Sequence, residues 1–187
     1  MALTQSRRSF LHDAGLGLLT FSLAGTQVLL TPRQARARSA DLRVLDASEV
    51  GILEALGEVL VPGAAEAGIA HFVDQQLSVQ PNDCLLMARY MNIEPPYADF
   101  YRAGLQAVDE LARRLRDTPF PELDEVAAVD IVRGFSNSSP EGWQGPPAPL
   151  VYFLLRSDAV DVVYGTVEGF AKMNIPYMPH ILPPRNW

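Results

Sequence analysis

The sequence is poor in the groups that carry redox, metal and nucleophilic chemistry. Its 187 residues contain one cysteine, Cys84, and three histidines, His12, His71 and His180. A single cysteine excludes an intrachain disulfide, a Cys-x-x-Cys metal site, an iron–sulfur cluster and a Cys-x-x-Cys-His haem attachment. No Gly-x-Gly-x-x-Gly or Gly-x-x-x-x-Gly-Lys loop is present to cradle a phosphate, and no Gly-x-Ser-x-Gly elbow presents a nucleophile. Basic residues are also short: 15 Lys and Arg face 22 Asp and Glu, a formal net charge of −7. Such a chain lacks the basic face that nucleic-acid binding requires. Internal repeats are absent, and no period-2 stretch carries a convincing hairpin signal. This poverty argues against an independent enzyme.

What is present suits a folded core. Hydrophobic residues make up 48% and charged residues 20%, too apolar for a disordered chain and ordinary for a globular one. The length corresponds to one domain with appendages.

The first 40 residues read as separate from that domain. Ser6-Arg7-Arg8-Ser9-Phe10-Leu11 has the form of a twin-arginine export motif, in which Arg7, Arg8, Phe10 and Leu11 are the signal. An uncharged, mildly apolar run follows from Ala14 to Leu30, and Ala35-Arg36-Ala37 has the small-x-small form of a signal-peptidase site. The alternative is a membrane anchor, but the run falls short of the roughly 20 residues that span a bilayer. Arg33, Arg36 and Arg38 lie beyond it, where positive charge opposes ordinary translocation. A carrier of already folded proteins suits this arrangement better. The expected division is a signal peptide over 1–37, a helical domain over 38–173 and an extended tail over 174–187.

The domain reads as all-α, a compact multi-helix bundle with an irregular Gly/Pro-rich loop and an extended Pro-rich tail. Asp46-Ala47-Ser48-Glu49 is a capping-box variant opening a helix over 42–62, with Ile52, Leu53, Leu56, Val59 and Leu60 on one face. Further helices are expected over 70–79 and 83–91. Pro95-Pro96 starts the longest, to about Asp117, with Tyr97, Tyr101, Leu105, Val108, Leu111 and Leu115 as its stripe. Another covers 122–135, with Val126, Val129 and Val132 spaced by three, and the last covers 150–165.

Two segments do not fit a self-contained bundle. The loop 136–149 is built from Gly, Pro and Ser, yet holds Trp143. The tail has Pro176, Pro179, Pro183 and Pro184, which forbid a helix, but keeps Ile175, Tyr177, Met178, Ile181, Leu182 and Trp187. Either the tail wraps its own domain or it lies on a partner, with little conformational entropy left to lose. Trp143, Tyr177, Met178, His180, Ile181 and Trp187 are the candidate interface residues, since aromatic side chains on irregular segments are frequent anchors.

At these segments the chain resembles the gluconate 2-dehydrogenase subunit 3 family. The likeness is carried by the twin-arginine leader from Ser6 to Leu11 and by Leu53-Glu54-Ala55-Leu56 through Val61-Pro62 and Gly68 to Leu77. Tyr164-Gly165 through Pro179-His180 completes it. The resemblance implies the noncatalytic small (gamma) subunit of a periplasmic, FAD-dependent sugar or sugar-acid dehydrogenase. It implies a large FAD-containing partner of the glucose–methanol–choline type and a separate multihaem cytochrome c that takes the electrons. No cofactor and no catalytic residue is implied in this chain. Its role would be to support folding and twin-arginine export of the large subunit, with membrane contact only through the complex. The rival reading is a stand-alone periplasmic helical enzyme or ligand-binding protein.

Individual residues yield little more. His71 and Asp74 share a helix face, but a metal needs a third ligand, so they read as a surface pair. His71 and His180 could in principle ligate a haem. Cys84, in an apolar run, is a buried thiol, an intersubunit disulfide or a reactive group. Asp158 and Asp161 read as a solvated face rather than an acid/base pair.

Overall fold

Asp46 opens the central helix as its spacing predicts. The Glu49 N–H donates to the Asp46 carboxylate at 2.9 Å, and the Asp46 N–H donates to the Glu49 carboxylate at 2.8 Å. Two orphan donors of the first turn are thereby satisfied. The computed structural model describes residues 17–176. Over these the chain runs β1 (Leu19–Leu23), β2 (Thr26–Leu30), α1 (Pro32–Ala37), α2 (Ala47–Leu60), α3 (Ala64–Ala67) and α4 (Ile69–Leu77). It continues through α5 (Tyr97–Arg116), α6 (Glu125–Ser136), α7 (Ala148–Tyr164) and α8 (Val167–Lys172). Short 3-10 turns lie at Pro81–Asp83, Met87–Tyr90 and Phe120–Glu122. The fold is a compact helical one.

Helix α2 is the hub. It packs on α3, α4, α5, α6 and α7, and it buries Ile52, Leu53 and Leu56. Helix α5 lays Tyr101, Leu105, Val108 and Leu111 into the same core. It comes close to α7 at Gly104, where a Cβ would press on the Val151 side chain. Here the missing side chain sets the distance between two helices.

Several expectations need correction. Residues 83–91 hold the end of one 3-10 turn, an extended stretch and a second 3-10 turn rather than a helix, and side chains outside the segment take backbone donors there: Leu85 N–H goes to Gln76 at 2.7 Å and Met87 N–H to Asp158 at 3.4 Å. Helix α6 buries Ala128, Ile131, Val132 and Phe135, so its inner face is rotated from the expected valine row and Val126 is exposed. Leu115 is exposed at the end of α5. Helix α8 was not foreseen, nor was the hairpin.

The hairpin falls within the apolar run read as leader. Strands β1 and β2 pair antiparallel, Leu19 opposite Leu30 and Phe21 opposite Val28. Ala24 and Gly25 both take positive φ, 47° and 81°, as a two-residue type I′ turn demands. Phe21, Leu30, Ala35 and Ala40 form a small apolar cluster of their own. Helix α1 then lies against α3 and α4. Gly68, at φ 87° between those two helices, lets the Pro32 carbonyl approach so closely that a Cβ would overlap it.

Candidate partner-docking surface

The buried polar groups Asp74 and Asp158 are tied into the scaffold. Asp74 is buried and accepts backbone N–H groups from Arg43 at 2.9 Å, Val44 at 2.8 Å and Leu45 at 2.8 Å. It pins the chain between α1 and α2. His71, one turn earlier, is also buried, with its ring 6.5 Å from Phe21 and its Nδ1 without a partner. Burial pushes the imidazole below its usual range. The expected surface pair is therefore an interior one.

Asp158 is likewise interior rather than solvated. It accepts the Tyr101 hydroxyl at 2.6 Å, linking α7 to α5. Complete burial pushes its carboxyl up to about 7, against the Tyr101 and Met87 hydrogen bonds that favour the charged form. A perturbed carboxyl is a common mark of catalysis. With exposures of 0% and 1%, however, neither Asp158 nor Tyr101 reaches solvent, and the pair joins α7 to α5 inside the core. Cys84 is fully buried and free, and burial raises its thiol. Among the described residues no three His, Cys, Asp or Glu are grouped to hold a metal. Among them, too, no helix is long and apolar enough to cross a membrane.

Among the described residues, several exposed apolar side chains gather on α7 and the segment after it. Helix α7 carries apolar side chains on its outer side as well as its inner one, alongside the exposed Arg156 and Asp161. Val151, Leu154, Leu155, Ala159 and Val162 point into the core. Phe153, Val160 and Tyr164 follow at spacings of seven and four, which puts them on one line of the helix, and each is more than a third exposed. Val167 on α8, then Met173 and Ile175, extend the exposed apolar series to the end of the described residues. An isolated domain keeps the outer face of such a helix polar. Between α1 and the α7–α8 corner lies an open cleft of about 320 Å³, with Pro32, Arg33, Val162, Val163, Val167 and Lys172 in its walls. This is at the small end for a ligand site.

Trp143 is half-buried on its own domain. Its ring stacks on Phe135 at 5.4 Å, and its indole N–H donates to the Pro146 carbonyl at 2.7 Å. Both the face and the polar edge of the indole are thus used within the chain. The other named residues, Arg7, Arg8, Phe10, Leu11, Tyr177, Met178, His180, Ile181 and Trp187, lie outside the described residues. The exposed side of α7 is the surface that sequence reasoning missed, although the run Leu150 to Tyr164 has only Arg156, Ser157, Asp158 and Asp161 as polar residues.

An exposed apolar row on the outer side of the last long helix is the kind of surface that marks an interaction site. The family model described as Gluconate 2-dehydrogenase subunit 3 matches residues 47–180, and the chain belongs to that family. It is a small subunit of a dehydrogenase complex. Comparison with curated proteins and with solved structures gave no match. The matched region starts at the first residue of α2, so the hairpin and α1 lie before it.

Proposed function

We propose that the chain is the noncatalytic gamma subunit of an exported FAD-dependent dehydrogenase of the glucose–methanol–choline type, which oxidises the CH–OH group of a sugar, sugar acid or alcohol. The large subunit holds the flavin and the substrate. A multihaem cytochrome c subunit accepts the electrons. This chain supports folding and stability of the large subunit and takes it through the twin-arginine route into the periplasm. Family membership over residues 47–180 carries the reading. The outward apolar row of Phe153, Val160 and Tyr164 supports it, because it offers the large subunit a face to cover. The tail from residue 174 onward would continue that contact through Tyr177, Met178, His180, Ile181 and Trp187.

Two experiments test the reading separately. Val160→Asp combined with Tyr164→Asp should leave the far-ultraviolet circular dichroism unchanged, since both side chains are already part-exposed. Co-purification with the flavoprotein should weaken by roughly 30-fold or more, the scale on which anchor residues act. Unchanged assembly would remove α7 from the interface. Arg7→Lys with Arg8→Lys should leave this chain and the flavoprotein in the cytoplasmic fraction. Recovery of either in the periplasm would show that the arginine pair is not the export signal.

A further inference from the structure

We infer that residues 19–40 are a permanent layer of the folded domain and that the chain is not cut after Ala37. The inference rests on the export reading only in asking what becomes of the leader.

A processing protease needs an extended, accessible backbone. The small-x-small tripeptide offers neither. Ala35 has no exposure, and Pro32 is buried beside it. The backbone around the expected cut is hydrogen-bonded on both sides: Ala35 N–H to Thr31 at 2.9 Å and Arg38 N–H to Gln34 at 3.1 Å. Ser39 N–H reaches Arg36 at 3.0 Å and Ala40 N–H returns to Ala35 at 2.9 Å. A Thr31–Gln34 capping box closes the helix at its start.

The segment is also fastened to the rest of the chain. Arg33 pairs with Glu66 at 2.6 Å and Arg36 with Glu54 at 2.8 Å. Ser22 and Asp41 exchange two hydrogen bonds, one from hydroxyl to carboxylate at 2.8 Å and one between backbones at 2.9 Å. Gly68 is shaped for the Pro32 carbonyl by its own lack of a side chain. A cut after Ala37 would remove three of the four buried members of the hairpin cluster, Phe21, Leu30 and Ala35. It would leave Glu54 and Glu66 without their arginines and strip the Phe21 ring from His71. Docking of the leader and its removal are therefore mutually exclusive, and the contacts favour docking. The exported chain keeps its leader, with the residues before Leu19 still attached.

Two measurements test this. In the first, purified full-length protein is exposed to trypsin beside a synthetic peptide of residues 31–42. Cleavage of the Arg36–Ala37 bond should be at least about 100-fold slower in the protein, because it tracks the small population of the undocked segment. Ala35→Asp, which drives a carboxylate into the cluster, should raise that rate while the helical circular dichroism persists. Cleavage of the wild-type protein at the peptide's rate overturns the inference. In the second, the intact mass of the chain from the exported fraction should include residues 19–37. A species beginning at Arg38 overturns the inference. A chain confined to the cytoplasm contradicts the export reading instead, and the trypsin comparison still decides the inference.

Discussion

Asp74→Ala will destabilise the domain by about 3–5 kcal/mol, because it strands three backbone donors at roughly 1–3 kcal/mol for each that is cut off from water. The three N–H groups of Arg43, Val44 and Leu45 converge on one carboxylate, and the Leu45 bond is buried. Alanine also leaves a small void where the carboxylate stood. Urea unfolding of the full chain measures the loss as a lower midpoint at unchanged slope. Asp74→Asn should fall between the two, since the amide keeps one acceptor oxygen but turns an NH₂ toward the same donors. A loss below about 1 kcal/mol for the alanine variant would mean that water replaces the carboxylate.

The second large effect is on pH dependence. The folded-state pKa of Asp158 is raised from 3.8 to about 7. The folded state therefore holds this proton more tightly than the unfolded chain. The stabilisation is complete below the unfolded value and is lost as pH rises to and through about 7. Between pH 5 and pH 8 the loss is on the order of 2–3 kcal/mol, at about 1.4 kcal/mol per pH unit. His71 acts in the opposite sense: its lowered value makes protonation cost stability as pH falls below its usual range. The Asp158→Asn variant separates the two. The stability difference between wild type and variant should shrink by that amount from pH 5 to pH 8, while the histidine contribution cancels. A pH-independent difference would show that Asp158 titrates normally.

Much of this architecture is written locally in the chain. The Asp46–Glu49 box, the Pro95-Pro96 start of α5 and the Tyr101, Leu105, Val108 and Leu111 stripe need only neighbours three or four residues away. The failures share a different cause. Asp74 and Asp158 are carboxylates, a residue type that a helix usually turns to water, although Asp158 shares the inner face of Val151, Leu154 and Leu155. Their partners lie some 30 residues upstream for Asp74 and 57 upstream for Asp158. Side chains outside the segment also take the backbone donors of Leu85 and Met87.

The hairpin was legible in principle, since Leu19, Phe21 and Leu23 alternate with Thr20 and Ser22 around a two-residue turn. An alanine at the first turn position, in place of the usual Asn, Asp or Gly, muted that signal. The docking face was hidden for a further reason. A helix with apolar residues on both faces announces that it is a helix but not clearly which side it buries.

The two-sided character of α7 also ties this chain to the supply of its partner. A copy made in excess carries the Phe153, Val160 and Tyr164 row uncovered. Uncovered apolar rows find one another, or find the quality-control machinery. On the pairing proposed above, dosage becomes part of the design: the two chains need synthesis in step, and a surplus of the small one is expected to be cleared or to clump.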